Sequence, residues 1–506
     1  MPEPLPDWLT PLPDAERMRA IDRWAIDEQG VPSLDLMERA GAGLAEAVVR
    51  HAGPGRLVVV CGKGNNGGDG LVAARLLRES GREVTVLGIA GLEGLKGDAA
   101  ENLRRLPGPA PEPFDPGRLE GCSGTVDALL GTGSSGEPRG EVAEAIVAIA
   151  ACPAPVIAAD MPSGVDASTG EVAGVAVRAT ATATFHAAKP GLWINPGKRH
   201  AGEVTVIDIG IPPGAPMTAD VGLIGPAVRA LIPRREPGST KFTSGHVLVA
   251  GGSRGLTGAP SLASEAAMRA GAGYVTACVP ASLNLVFETR LLEVMTRPLP
   301  DREGGLLEEA AGEVVAQAER RGGALAVGPG LGREEGAVAF ARHVAGQSPV
   351  PLVLDADGLN AHAGRLEALA GRSAPGVLTP HAGELGRLLE RESADIEAHR
   401  LVSAREAASR ARAVIVLKGD DTIVAAPDGR AGVSPGGSRA LATAGTGDVL
   451  TGVVAAMLAK RLDAFDAACA AVWVHSRAGA LAADRRGAEG VIASDVIAEL
   501  PRALVE

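Results

Sequence analysis

Apolar residues recur at three- and four-residue spacing over residues 14–29 and again over 33–51, which predicts two amphipathic helices. The short apolar run Leu57-Val58-Val59-Val60 then reads as a buried strand that runs straight into Gly62-Lys63-Gly64-Asn65-Asn66-Gly67-Gly68-Asp69-Gly70. A helix is expected from Leu71 to Ser80, and strands from Glu83 to Ile89, Thr125 to Leu130 and Val156 to Ala159, the last ending at Asp160. Strands that alternate with helices predict an α/β fold with a doubly wound parallel sheet. Loops at the carboxyl ends of such strands form the site, and the polar, glycine-rich segments fall at that edge.

The pattern breaks at Ile209-Gly210-Ile211-Pro212-Pro213-Gly214, and Pro233 to Gly238 is rich in proline and charge. A domain boundary is therefore expected near residue 220, giving domains 1–220 and 221–506, the second opened by a helical stretch from Gly225 to Leu231. Strand-like runs resume at Val247–Ala250, Gly273–Val279, Ala324–Val327, Leu352–Leu354 and Val414–Leu417, separated by helical segments. This predicts a second α/β domain that is no copy of the first.

A chain of 506 residues exceeds one ordinary core, in keeping with two domains. Only 2% of residues are aromatic, so the cores are expected to be aliphatic. The net charge of −12 argues against a nucleic-acid surface, although backbone N–H groups at a helix start can still bind a phosphate. The five scattered cysteines lack any Cys-x-x-Cys pair, so reduced thiols and a cytoplasmic location are expected. The start of the chain has neither a basic end nor an apolar core, so no signal peptide is expected. No apolar run nears the ~20 residues that cross a bilayer, so no membrane partner is expected.

Glycines in the segment from Gly62 to Gly70 would allow positive φ and close backbone approach, and any tight turn could use them. Two adjacent asparagines and Asp69 favour a ligand-binding loop. No Gly-Lys-Ser/Thr follows, so it is not a Walker loop. Asp127 lies inside one expected strand and Asp160 ends another, and a carboxylate so placed is costly unless paired. Asp160 could cap the turn Met161-Pro162-Ser163-Gly164. Together with Ser163 and Asn66, the two acids instead suggest an oxygen-lined site for a hard cation, with one acid left as a general base.

These residues resemble the YjeF N-terminal family, the NAD(P)H-hydrate epimerases. The likeness also covers Met18-Arg19-Ala20-Ile21-Asp22, Pro32 to Glu38, Gly131 to Glu137, Lys189-Pro190-Gly191 and Asp208-Ile209-Gly210. The resemblance implies a Rossmann-like domain. It implies that Asn65, Asn66, Gly67, Gly68 and Asp69 contact a hydrated nicotinamide nucleotide, with Gly131, Thr132, Gly133, Ser134, Ser135, Gly136, Glu137 and Asp160. It also implies that Asn66, Asp127 and Ser163 hold K⁺, with Asp160 as the acid/base.

In the second half, Ala444-Gly445-Thr446-Gly447-Asp448 opens an apolar-striped helix. Small residues there expose N–H groups to an anion, and Asp448 beside a bound phosphoryl group could take a hydroxyl proton. A first-turn acid favourable to the helix dipole is the plainer alternative. Gly328-Pro329-Gly330-Leu331-Gly332, Asp355 to Asn360, Thr379 to Glu384 and Lys418 to Thr422 put polar groups at successive strand ends, as a binding cleft would.

This half resembles the YjeF C-terminal family, the ADP/ATP-dependent NAD(P)H-hydrate dehydratases of ribokinase-like fold, from about Gly225 to Leu504. The resemblance implies that Ala259, Gly332, His381 and Asp448 face the hydrated nucleotide, with Asp448 catalytic. Lys418, Gly419, Asp420, Asp421, Thr422, Gly445, Thr446 and Gly447 would hold ADP or ATP with Mg²⁺. Ala444 and Ser434 depart from the family pattern, which has Gly and Asn there. The expected activity is epimerisation of NADHX or NADPHX followed by nucleotide-dependent dehydration, in a symmetric homo-oligomer. The alternatives are a ribokinase-like small-molecule kinase fused to a non-catalytic nucleotide-binding module, and a module like those of RNA-decapping scaffolds.

Overall fold

Long apolar runs with no polar alternation suit strands covered on both faces, and both sheets are built from them. In the computed structural model, which describes residues 4–89 and 92–506, the chain forms two units. One spans Pro11–Val221; the other takes Gly222–Glu506 together with the N-terminal segment up to Thr10. The first three residues, part of the start read for a signal peptide, lie outside the described residues.

In the Pro11–Val221 unit seven strands lie in the order Glu112–Pro113, Val84–Gly88, Leu57–Cys61, Gly124–Ala128, Val156–Ala159, Ala181–Phe185, Glu203–Ile207. All are parallel. From Leu57–Cys61 the chain steps one way, then returns to place Gly124–Ala128 on the other side, so the strand order reverses between these two. A crevice opens at their carboxyl ends, where ligands bind in such sheets. Helices Ser33–His51 and Asn65–Glu79 pack on one face through Leu44, Val48, Leu71 and Leu77. Ile146 and Ile149 of helix Gly140–Ala151 fill the other.

The glycine-rich segment differs from the expected loop. Helix Asn65–Glu79 begins six residues earlier than predicted, and Gly67, Gly68 and Gly70 lie within it. None of these glycines has positive φ. Close approach is their reason: a Cβ on Gly67 would stand 2.0 Å from the Gly62 carbonyl oxygen, and one on Gly70 would stand 2.6 Å from the Ala128 Cβ. Gly67→Ala drives a methyl into backbone that cannot move aside. It is expected to cost about 1–3 kcal/mol, read as a lower melting temperature for this unit.

The second unit has an eleven-stranded sheet, ordered Leu9–Pro11, Val221–Ile224, Ala431–Val433, Ile423–Ala425, Val414–Leu417, Gly376–Leu378, Leu352–Leu354, Ala324–Val327, His246–Ala250, Tyr274–Pro280, Met295–Leu299. The pairings from Met295–Leu299 through Val414–Leu417 are parallel; the next two are antiparallel. Its order reverses between His246–Ala250 and Ala324–Val327. Helices Gly258–Arg269, Thr446–Ala459, Ala464–Arg486 and Ala493–Ala503 bury the main core, which is rich in Ala and Val. The segment Gly225–Leu231, read as helical, is a 3₁₀ helix over Pro226–Leu231. Among the described residues no helix is long and apolar enough to cross a membrane.

Candidate functional site

At the first unit's crevice lies a cavity of about 840 Å³. Gly62 to Asn66 and Asp69 line it from one side, Gly131 to Ser134 from another, and Asp160 from a third. Gly67 and Gly68 do not line it; they carry the packing that seats the wall, Gly68 lying against Met37. Ser135, Gly136 and Glu137 are exposed and do not line it either, Glu137 lying beside Gly174.

Asp160 ends its strand with φ +63°, in the left-handed region that non-glycine residues enter only when held there. Its holders are plain. Lys189 Nζ donates to Oδ1 at 2.6 Å and is itself buried, while the Thr132 backbone N–H donates to Oδ2 at 2.9 Å and the Thr132 hydroxyl donates to the same oxygen. Thr184 Oγ1 and the Phe185 N–H stand 3.4 Å from Oδ1. Burial alone would raise the Asp160 pKa, but the Lys189 ammonium and these hydrogen bonds outweigh it and hold the carboxyl below its ordinary range.

Asp69 and Asp22 face the same cavity. Burial, then the negative charges of Asp160 and Asp22, push Asp69 well above the usual carboxylate range. Burial likewise raises Asp22. Neither Asp22 nor Lys189 carries a role in the sequence reading, though both lie in stretches noted there. The available signal was a lysine four residues after an apolar strand, Ala181–Phe185, and its neighbours His186-Ala187-Ala188.

Asp127 is fully buried. Ser163 Oγ donates to its Oδ1 at 2.6 Å, the Ser163 N–H to Oδ2 at 2.8 Å and the Leu129 N–H to Oδ1 at 3.3 Å. Burial still pushes its pKa up to about 6, and no basic side chain is among the groups that offset it. Asn66, in the cavity wall, is buried, with neither its amide oxygen nor its amide nitrogen hydrogen-bonded. A buried carboxylate with no basic partner and an orphaned buried amide oxygen are what a hard monovalent cation would satisfy, so Asn66, Asp127 and Ser163 fit K⁺.

In the second unit a Gly445 with φ +88° caps helix Thr446–Ala459, whose first turn carries Asp448. Lys418, just past the strand Val414–Leu417, donates to Asp355 Oδ1 at 2.9 Å and stands 3.6 Å from Glu384 Oε2. Thr451 Oγ1 donates to the other Asp355 oxygen at 2.7 Å. Burial pushes Asp448 up to about 7, Asp355 and Glu384 adding to the rise and Lys418 opposing it. A Cβ on Gly447 would sit 3.7 Å from the Lys418 ammonium, so the anion loop and this lysine meet.

His381 caps the next helix: the Gly383 and Glu384 N–H groups donate to its Nδ1, at 3.0 and 3.2 Å. That leaves the proton of the neutral ring on Nε2, and burial lowers its pKa. Gly332 takes φ +85° and donates its N–H to Asp357 Oδ2 at 3.0 Å. Ala259 sits half-buried in the first turn of Gly258–Arg269. The loop before it meets the Gly328–Gly332 loop, because a Cβ on Gly330 would strike the Leu256 carbonyl oxygen at 2.3 Å.

Within Lys418–Thr422 the side chains part. Asp420 is exposed, Thr422 Oγ1 closes the turn by donating to the Gly419 carbonyl at 2.7 Å, and Asp421 turns inward to a buried pair with Arg400 Nε at 3.0 Å. Ser434 is buried and accepts from the Gly436 N–H at 3.3 Å. A further cavity of about 480 Å³ lies between Ser434–Ser438 and the helix Ala464–Arg486.

Two layered α/β units, each with acids and a lysine gathered at the carboxyl edge of a parallel sheet, define an enzyme that handles small phosphorylated ligands. A family model described as NAD(P)H-hydrate dehydratase matches residues 247–502, and one described as YjeF-related protein N-terminus matches 33–191. A bifunctional NAD(P)H-hydrate repair enzyme from Salinibacter ruber is 40% identical, over 98% of this chain and 96% of its own. Another from Moorella thermoacetica is 39% identical over 97% and 96%. A crystal structure of the ADP/ATP-dependent NAD(P)H-hydrate dehydratase from Bacillus subtilis, co-crystallised with ATP/Mg²⁺, is 33% identical with TM-score 0.47, covering 55% of this chain and 95% of its own. The chain belongs to the family of bifunctional NAD(P)H-hydrate repair enzymes.

Proposed function

We propose that the Pro11–Val221 unit interconverts the two epimers of hydrated NADH or NADPH, and that the other unit dehydrates one of them at the expense of ADP or ATP. The observation that carries the second half of this reading is Asp448, a carboxyl near-neutral in pKa at the mouth of an anion loop with Lys418 beside it.

The hydrate bears a hydroxyl on the ring carbon next to nitrogen, a hemiaminal, and hydroxide is a poor leaving group. Asp448 takes the hydroxyl proton while that oxygen attacks the terminal phosphorus of the nucleotide, and the bridging P–O bond breaks. The ring nitrogen then expels the phosphate, and loss of the neighbouring ring proton restores the double bond. Lys418, kept charged by Asp355 and Glu384 against its burial, stabilises the phosphoryl oxygens. Mg²⁺ would come with the phosphates, since among the described residues no three His, Cys, Asp or Glu side chains converge to hold a metal. Gly445 to Gly447 and the turn Lys418–Thr422 present backbone N–H groups to the nucleotide, with the Asp421–Arg400 pair fixing that turn from beneath.

In the first unit, Asn65 and the Gly131–Ser134 loop frame the nicotinamide nucleotide. K⁺ held by Asn66, Asp127 and Ser163 would supply a fixed positive charge that locks the two loops and offsets Asp127. Asp127→Asn is expected to lose potassium dependence and to slow epimerisation about 10–100-fold.

The reading is tested with racemic hydrate and the whole chain, following the near-ultraviolet absorbance of the restored cofactor. With ADP or ATP present both epimers are expected to be consumed, half of them promptly by the second unit and the rest through epimerisation. A stable phosphorylated product with no absorbance gain would instead identify a kinase.

A further inference from the structure

Epimerisation of a hemiaminal needs one bond to break and re-form on the other face, and four carboxyls line the cavity: Asp22, Asp69, Asp98 and Asp160. Asp160, the acid singled out in the sequence, is bound on both oxygens by Lys189 and Thr132. Its lone pairs are committed, and its charge is matched by a buried ammonium. Asp69 presents a buried carboxyl to the same cavity with no hydrogen-bond partner among the described residues. It sits near the start of helix Asn65–Glu79, a start clamped by Gly67 and Gly70.

We infer that Asp69, whose buried carboxyl faces the cavity, is the proton carrier of the epimerisation, with the Asp160–Lys189 pair as its positioning partner. This rests on the epimerase reading of the unit given above.

The protonated oxygen of Asp69 gives its proton to the ring nitrogen while its other oxygen takes the proton of the hemiaminal hydroxyl. The carbon–nitrogen bond breaks with its electron pair going to nitrogen, and the carbon–oxygen bond becomes a carbonyl. The ring opens to an aldehyde and an N–H enamine, and Asp69 ends protonated as it began. Rotation about the bond to the aldehyde turns its other face to the nitrogen. The same two proton transfers in reverse close the ring as the other epimer. No atom is gained or lost, and no oxidant is required.

A carboxyl spans this task because its two oxygens are spaced like a nitrogen and a hydroxyl oxygen borne on one carbon. It must also be neutral and have both oxygens free. The groups around Asp69 are arranged to keep it so: Asp160 and Asp22 repel a second charge and burial disfavours it, while Lys189 opposes them. Cys61 lies beneath on its strand, raised by burial and by Asp69, and Asp98 lies across the cavity. Opening the ring also avoids an iminium ion, which would shed its neighbouring proton and dehydrate without nucleotide.

The test uses the whole chain with racemic hydrate and ATP, where the second unit reports its own competence. Asp69→Asn is expected to consume the first half at the wild-type rate and to slow the second half by about a hundredfold or more, in kcat rather than KM. Asp69→Glu is expected to recover part of the loss. Wild-type rates in both phases for Asp69→Asn would overturn the inference while leaving the epimerase reading intact. A wild-type chain that stalls at half consumption would overturn that reading itself. A second measurement needs no variant: in ¹⁸O-water the epimerised hydrate is expected to keep its own oxygen. One solvent oxygen gained per epimerisation would mean that the carbon–oxygen bond breaks, and the inference falls.

Discussion

Asp448→Asn is expected to abolish nucleotide-dependent recovery of absorbance from the hydrate, lowering the rate about 10²–10⁴-fold, with both epimers left unconsumed. The substitution keeps the shape of the side chain and the helix start, so nucleotide binding is expected to persist. What is lost is the acceptor for the hydroxyl proton. A pH profile separates this from a mere packing defect. Because burial, Asp355 and Glu384 hold the carboxyl near pKa 7, it is protonated below that pH and cannot act as a base. In the wild type kcat/KM for dehydration rises with pH through about 7 and levels above it, and the residual activity of Asp448→Asn lacks that limb. A variant that retained wild-type dehydration would remove Asp448 from the mechanism.

The second large effect belongs to Lys189. Lys189→Met leaves Asp160 buried without its cation, which costs about 3–5 kcal/mol in such pairs. The melting transition of this unit is expected to fall accordingly and epimerisation to be lost, while the second unit's reaction survives. Because the folded-state pKa of Asp160 is depressed, the pair's contribution is full above the ordinary carboxylate range and fades as pH falls through that lowered value. Lys189→Met is therefore least damaging to stability at low pH, and thermal melts at two pH values measure this. Equal destabilisation at both would show that the ion pair is not what Lys189 supplies.

Much of this was legible in the linear chain. The strands Val156–Ala159, Ala324–Val327 and Leu352–Leu354 fall where the apolar runs place them, because strands buried on both faces need no pattern subtler than continuous Val, Ile, Leu and Ala. The α/β class follows the same way, while the family resemblance rests on the quoted motifs; Asp127 and Asp160 stood out because a carboxylate within or ending a buried strand is costly, and Asp448 because it follows a small-residue helix start.

Other features were hidden for definite reasons. Asn65–Gly70 has three glycines and asparagines enough to read as a loop, since propensity alone disfavours a helix there. Only tertiary approach to the Gly62 carbonyl, Met37 and Ala128 makes those glycines a helix requirement. The three-residue strands Gly376–Leu378, Ile423–Ala425 and Ala431–Val433 did not register because, unlike Leu352–Leu354, each includes Gly or Ala and so offers no continuous run of large apolar residues. The meeting of Asp22, Asp69, Asp160 and Lys189 depends on segments far apart in sequence.

The strand Leu9–Pro11 has one more effect. Trp8 and Leu9 pack into the larger core, Trp8 6.2 Å from Phe465, and the strand Leu9–Pro11 is separated from Val221–Ile224, the strand it borders, by the length of the Pro11–Val221 unit. The epimerase unit is thus an insertion in the chain of the other unit, placed between the two outermost strands of the larger sheet. A polypeptide begun at residue 221 would leave its outer strand Val221–Ile224 bare and lose Leu9 from its interior.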